Sequence, residues 1–167
     1  LKDHEVFASE KVIRIGEPIA FVVGETEEAC REGLGKVQVD YEELPAVFDP
    51  VEAMKEGAPI VHGDTNLLYH YKLRRGNLEE SRAVARNTYR SPMVDHAFIQ
   101  PEAAVGYLEE DGTVVVAVAT QYPHYDREEV SRNLGLPEER VKILNTAIGG
   151  AFGGREDISP QIHVAMA

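Results

Sequence analysis

Residues 113–120 read TVVVAVAT, an almost continuously apolar run, and no other stretch limits the fold as tightly. A strand with one wet face alternates apolar and polar side chains; an unbroken apolar run predicts a strand buried in the interior. The EEDGT turn before it (109–113) predicts a hairpin with the extended segment that ends at 110. After it, YPHYDREEVSRNLG (122–135) predicts a helix that Tyr125 or Asp126 starts. Val130 and Leu134 share one face of that helix, and Gly135 suits the left-handed residue that ends it. ERVKILNTAI (139–148) predicts the next strand.

Directly after that strand come four glycines in six residues, Gly149 to Gly154, set around Phe152. The order GGAFGG does not fit the G-x-G-x-x-G dinucleotide fingerprint. Gly149 and Gly154 have phosphate-loop spacing, but Arg155 and Glu156 stand where Lys and a hydroxyl belong, which disfavours a nucleoside triphosphate. Glycines permit positive φ and leave no Cβ in the way. Successive main-chain N–H groups can then converge on an anion or an electron-rich ligand. A helix starting near Asp157 would add its N-terminal dipole, and Phe152 could project against a planar ligand. A tight strand-to-helix connection without a ligand satisfies the same pattern.

Upstream, KVIRIG (11–16) and EPIAFVVGE (17–25) predict two strands, and Thr26 predicts the cap of a helix running to about Lys36, weakened at its end by Gly33 and Gly35. KVQVDYEEL (36–44) alternates Val37, Val39 and Tyr41 on one face and predicts a half-buried strand. Asp49-Pro50 opens a short helix. Residues 57–66 read as a linker, 67–77 as a strand, 78–85 as a short helix and 87–99 as extended chain.

The composition is globular: 167 residues, 43% hydrophobic and 28% charged. A net charge of −12, from 29 acidic and 17 basic residues, disfavours nucleic acid as a partner. No apolar run approaches the eighteen or so residues of a membrane helix, so no membrane association is expected. Cys30 is the single cysteine; it excludes an internal disulfide and a thiolate-held iron–sulfur cluster, and it fits a reducing, cytoplasmic setting. His4, His62, His70, His96, His124 and His163 show no metal-ligand spacing. The first ten residues open no clear element and lack a signal-peptide core, and ISPQIHVAMA (158–167) ends without a stop signal, so the chain is expected to be cut from a longer one.

Five stretches, IGEPIA (15–20), VDYEELPAV (39–47), TQYP (120–123), LGLPEERV (134–141) and GGAFGGRE (149–156), occur in the order found in one family. The chain resembles the large, molybdopterin-binding subunit of the molybdenum hydroxylases, the xanthine dehydrogenase and aldehyde oxidase family. The resemblance implies an α+β fold of mixed sheets with flanking helices. Residues 1–62 would close an α/β hammerhead domain, and residues 63–167 would begin the molybdopterin-binding domain.

It further implies an oxidoreductase that hydroxylates a carbon of an aldehyde or N-heterocycle, with water as the oxygen source. The implied cofactor is molybdenum–molybdopterin, in many bacterial members as the cytosine dinucleotide. FAD and 2Fe–2S modules would lie on other domains or subunits. The expected partners are those modules, the rest of the large subunit and further copies of the parent protein.

Residue by residue, Gln121 matches a glutamine that hydrogen-bonds the apical oxygen on molybdenum. Gly150, Ala151, Phe152 and Gly153 match the loop beside the metal end of the cofactor, and Glu156 matches a glutamate that orients heterocyclic substrates in some members. The family's general base falls outside these residues, so no catalytic residue is expected here and the isolated chain is expected to be inactive. Three positions depart from the pattern. Ala151 replaces a glycine, which requires negative φ there; Arg155 replaces a lysine; and Gln100, in HAFIQPE (96–102), replaces a carboxylate. His124 could line the mouth of the site or simply start a helix. The rival reading is a non-catalytic scaffold or assembly module that shares the fold.

If apolar faces are bared by the expected cut, the isolated chain should self-associate. Sedimentation at micromolar concentration checks this, and a clean monomer would count against it.

Overall fold

The computed structural model describes residues 5–77, 82–158 and 160–167. Two short helices occur in the first half, α1 (Glu27–Leu34) and α2 (Pro50–Ala53). The second half holds β1 (Ala104–Leu108), β2 (Val114–Val118), α3 (Pro123–Leu134), β3 (Val141–Asn145) and α4 (Pro160–Met166), with a 3-10 turn over Glu138–Arg140.

β2 is the centre of a three-stranded sheet, antiparallel to β1 and parallel to β3. Its register sets Val118 opposite Ala104 on one side and Asn145 on the other. Both faces of β2 are covered, as the apolar run predicts: Val115 and Val116 are fully buried on opposite faces, and Val118 is buried as well. Val114, Val116 and Val118 pack with Ile143, Leu134, Leu136 and Val164. Val130, Val141 and Ile162 form an adjoining cluster. Burial of each such side chain stabilises by roughly 1.5–3 kcal/mol.

The hairpin turn forms where expected. Gly112 takes φ +80° and donates its N–H to the Glu109 carbonyl at 2.8 Å. The Asp111 carboxylate accepts from the Thr113 N–H at 2.8 Å, and that bond holds its pKa below the usual carboxylate range. α3 starts at Pro123, ahead of the expected Tyr125 or Asp126, because proline at the first helical position has the right φ and no N–H to orphan. It ends as expected at Gly135, which is left-handed at φ +67°.

α1 is capped by Thr26, whose hydroxyl accepts from the Ala29 N–H at 3.1 Å, and it ends at Leu34, two residues short of Lys36. Gly33 is a packing site: a Cβ there would lie 2.7 Å from Val22 Cγ1. Asp49 caps α2 through the Val51 and Glu52 N–H groups.

Four expected strands are absent among the described residues. The segments 11–16, 17–25, 36–44 and 67–77 enter no ladder. Val37, Val39 and Tyr41 are exposed rather than half-buried. β-branched, alternating sequence makes a surface that fits a sheet, but the ladder itself needs a neighbour whose N–H and C=O groups are free. The helix expected over 78–85 lies partly outside the described residues, and 82–85 are not helical. The helix expected near Asp157 begins instead at Pro160.

α4 lies across the sheet on Gly106 of β1. A Cβ at Gly106 would stand 2.5 Å from the Val164 carbonyl oxygen, so only glycine admits the helix at this distance. On its other side α4 offers His163 to two stacked rings: Phe7 and Phe21 lie 5.4 Å apart, with His163 at 4.9 and 5.9 Å from them. Gly106→Ala should therefore push α4 off the sheet at a cost of about 1–3 kcal/mol. Denaturant midpoints at constant slope would measure it, and an unchanged midpoint would contradict the packing.

Candidate functional site

The site is built at the ends of two parallel strands. Because β2 and β3 run the same way, the loops that leave them emerge on the same edge of the sheet, where ligands bind in open α/β sheets. Asn145 ties the two exits together: its Oδ1 accepts from the Thr120 N–H at 3.2 Å, and its Nδ2 donates to the Thr120 carbonyl at 3.1 Å. The Thr146 N–H donates to the Val118 carbonyl at 3.0 Å. The loop after β2 carries Gln121, and the loop after β3 carries the glycines.

The four glycines divide into two pairs. Gly150 and Gly153 take φ +104° and +91°, which a side chain rarely adopts. Gly149 and Gly154 admit close neighbours: a Cβ would lie 2.7 Å from the Gln100 side chain at one and 2.9 Å from the Phe98 ring at the other. Ala151 is buried and is not among the residues with positive φ, so its Cβ is accommodated as required. Phe152 carries the strain instead. It sits left-handed at φ +54° and is 78% exposed. A left-handed aromatic residue costs on the order of 1–3 kcal/mol and persists only where its surroundings hold it.

Those surroundings begin with Gln121. Its Oε1 accepts from the Gly153 N–H at 3.1 Å and the Arg155 N–H at 3.3 Å, and its own N–H donates to the Arg155 carbonyl at 3.1 Å. The structure thus brings Gln121 to the main chain around Phe152, as the sequence reading requires. With Oε1 held by two donors, the carboxamide nitrogen is the end left to act as donor, and among the described residues it has no acceptor.

Arg155 is the part that sequence reasoning undervalued. It is 2% exposed, and it fastens the loop to three other places. Nε donates to the Gly150 carbonyl at 3.1 Å, Nη2 to the Gln100 carbonyl at 2.8 Å, and Nη1 to the Ala119 carbonyl at 3.2 Å and the Glu102 carboxylate at 3.1 Å. Its guanidinium lies 4.4 Å from the centre of the Phe98 ring. The charge pairing in HAFIQPE therefore falls on Glu102, while the neutral Gln100 accepts the Gly149 N–H through Oε1. The available signal was the arginine itself: its planar fork of donors binds several carbonyls at once, as a lysine ammonium cannot.

The other candidates lie further out. Glu156 is exposed, its N–H bonded to the Gly153 carbonyl at 3.2 Å. His124 is exposed in the first turn of α3. Among the described residues no cluster of His, Cys, Asp or Glu could hold a metal directly. A cleft of about 800 Å³ lies between residues 8–13 and 39–48, and its lining includes neither Gln121 nor residues 149–155. The N–H groups of Gly149, Gly153 and Arg155 converge on the side-chain oxygens of Gln100 and Gln121, so the loop is closed on these two glutamines.

Asp126 is fully buried in the first turns of α3. The Gln161 Nε2 donates to its Oδ2 at 3.1 Å, while Oδ1 has no partner among the described residues. Burial pushes the carboxyl above its ordinary range, partly countered by the nearby Thr120 and Gln161 side chains.

Comparison with known proteins agrees with this architecture. The family described as the molybdopterin cofactor-binding domain matches residues 61–167, and the a/b hammerhead domain of aldehyde oxidase and xanthine dehydrogenase matches residues 1–45. The chain belongs to the molybdopterin-binding large-subunit family of the xanthine dehydrogenase and aldehyde oxidase type, with the α+β fold of a hammerhead end followed by a cofactor-binding domain. It is similar to the nicotinate dehydrogenase large molybdopterin subunit of Eubacterium barkeri, 38% identical over 99% of this chain and 40% of that subunit. It is likewise similar to xanthine dehydrogenase 1 of Arabidopsis thaliana, 32% identical over 99% of this chain and 12% of that protein. A third relative is the xanthine dehydrogenase molybdenum-binding subunit of Escherichia coli O157:H7, 28% identical over 86% of this chain and 20% of that subunit. The chain thus spans less than half the length of these curated relatives.

The raised carboxyl of Asp126 fixes the sign of a pH effect. Its contribution to stability is complete at acid pH, where folded and unfolded chains both hold the proton, and is lost as pH rises through the folded value. Asp126→Asn cannot ionise, so it should gain stability relative to the native chain between pH 4 and pH 7. Denaturant midpoints at the two pH values would measure the change; a relative loss would contradict the burial argument.

Proposed function

We propose that this chain forms one wall of the molybdopterin site in a molybdenum-dependent hydroxylase that oxidises a carbon of its substrate with water as the oxygen source. In this reading residues 1–62 close the hammerhead domain and residues 63–167 open the cofactor-binding domain. Gln121 carries the proposal. Its Oε1 is held by the Gly153 and Arg155 N–H groups, so its amide N–H can donate outward to an oxygen on the metal without competing as a ligand. Gly150, Ala151, Phe152 and Gly153 would line the metal end of the cofactor, and Glu156 would meet the substrate from the exposed rim. The donor set fits an oxygen-rich, electron-rich group: it offers the outward amide N–H of Gln121, and among the described residues no cluster of His, Cys, Asp or Glu competes to hold a metal. Bound there, the cofactor would supply the two-electron oxidation centre. The chain's own part is to hold the oxygen, to keep Phe152 against the planar substrate and to orient it through Glu156.

The similarity to proteins named for nicotinate and xanthine favours an N-heterocycle over an aldehyde. The cytosine dinucleotide form of the cofactor, FAD and 2Fe–2S modules on other domains or subunits, a homo-oligomeric parent and a cytoplasmic location belong to the same reading. Among the described residues no helix is long and apolar enough to cross a membrane. The family's general base lies outside these residues, so the chain expressed alone should neither retain molybdenum nor turn over substrate. Metal analysis with an oxidation assay on the isolated chain checks this, and turnover by it would overturn it.

In the whole protein, Gln121→Ala should cut turnover about 10–100-fold. Gln121→Glu should do nearly as much, since a carboxylate accepts from the same N–H groups but has no proton to give outward. Full activity in Gln121→Glu would remove the donor role.

A further inference from the structure

We infer that Arg155 is a positioning residue that sets which end of the Gln121 carboxamide faces the site. This rests on the function proposed above. Arg155 meets Gln121 through both of its backbone groups: its N–H donates to Gln121 Oε1 at 3.3 Å, and its carbonyl accepts the main-chain N–H of Gln121 at 3.1 Å. A carboxamide flips at little cost unless one end is held. The hold is only as firm as Arg155 itself, and four guanidinium hydrogen bonds fix that residue. They reach Gly150 on its own loop, Ala119 two residues before Gln121, and Gln100 and Glu102 on the segment before β1.

The guanidinium therefore joins the loop after β2, the loop after β3 and the 96–102 segment in one body. The position departs from the family pattern in a way that supports the assignment. A lysine has three donors radiating from one atom and cannot reach carbonyls on three separated segments in a planar fork. Arginine at 155 stands with neutral Gln100, whose backbone carbonyl takes Nη2 and whose side chain takes the Gly149 N–H.

The test compares Arg155→Lys, Gln121→Ala and their combination in the whole protein. Amide hydrogen exchange over 119–122 and 149–156 is read beside molybdenum content, kcat and KM. Arg155→Lys should speed exchange in both loops about tenfold or more while leaving the sheet unchanged. It should lower kcat about tenfold with little change in KM. The double variant should be no worse in kcat than Gln121→Ala alone, because both changes disable the same donor. Unchanged exchange at 119–122 in Arg155→Lys, or kcat losses that multiply in the double variant, would overturn the inference. If Arg155→Lys proves too unstable, Glu102→Ala removes one anchor from the exposed side and should give a smaller rise in exchange at the same loops; no rise there would count equally against it. Faster loop exchange together with a fully active Gln121→Ala would leave the hold of Arg155 on Gln121 standing and remove the proposed function instead.

Discussion

The parallel pairing of β2 with β3 governs everything built above it. Parallel strands cannot be joined by a tight turn, so the chain must cross over through α3, and both strands then finish on the same edge. Five register pairs, Val114 with Val141 to Val118 with Asn145, carry that edge to a common level. There Asn145 bonds both backbone groups of Thr120. The apolar run that makes β2 a central strand thus also decides where Gln121 and the glycine loop meet. Moving the register by one residue would turn Val116 and Val118 to the other face and part the two loops at the same time.

Above this edge the structure keeps two costly features, and each accounts for the other. Phe152 in the left-handed region and Arg155 out of water would separately destabilise the fold. The buried guanidinium is compensated by three carbonyls, one carboxylate and the face of Phe98. The same carbonyls fix the loop so that Phe152 cannot relax. Glu102 stays partly in water, with its side chain 36% exposed, so only one ion of the pair bears full desolvation. Phe152 is thereby held outward on the loop whose Gly153 and Arg155 N–H groups bond Gln121.

The half of the fold that rests on local and adjacent interactions was readable from the sequence. The hairpin at Gly112, the end of α3 at Gly135 and the caps of α1 and α2 each depend on a few consecutive residues, and each lies where those residues put it. Gln121 and the glycine loop were legible through family resemblance, not through spacing: nothing in TQYP or GGAFGG says that one bonds the other. Arg155 with Glu102 and Gln100 was hidden because its partners lie about fifty residues away. The expected strands at 11–25 and 36–44 failed for the converse reason. Alternating Val37, Val39 and Tyr41 state a preference for a sheet, and the described residues give them no neighbour in which to express it.

Position 121 shows how narrow the chemical requirement is. In the proposed role the side chain there accepts from Gly153 and Arg155 and presents a proton on its far side. A carboxylate accepts but has no proton at neutral pH; an ammonium donates but cannot accept. A hydroxyl does both from one atom, so engaging its lone pairs with the loop would leave its proton beside the loop as well. A carboxamide separates acceptor from donor across a rigid plane, and asparagine is one methylene short of the span. Glutamine suits the loop after β2 as the glycines suit the loop after β3. One supplies a two-ended side chain, the other a backbone able to turn its N–H groups toward it.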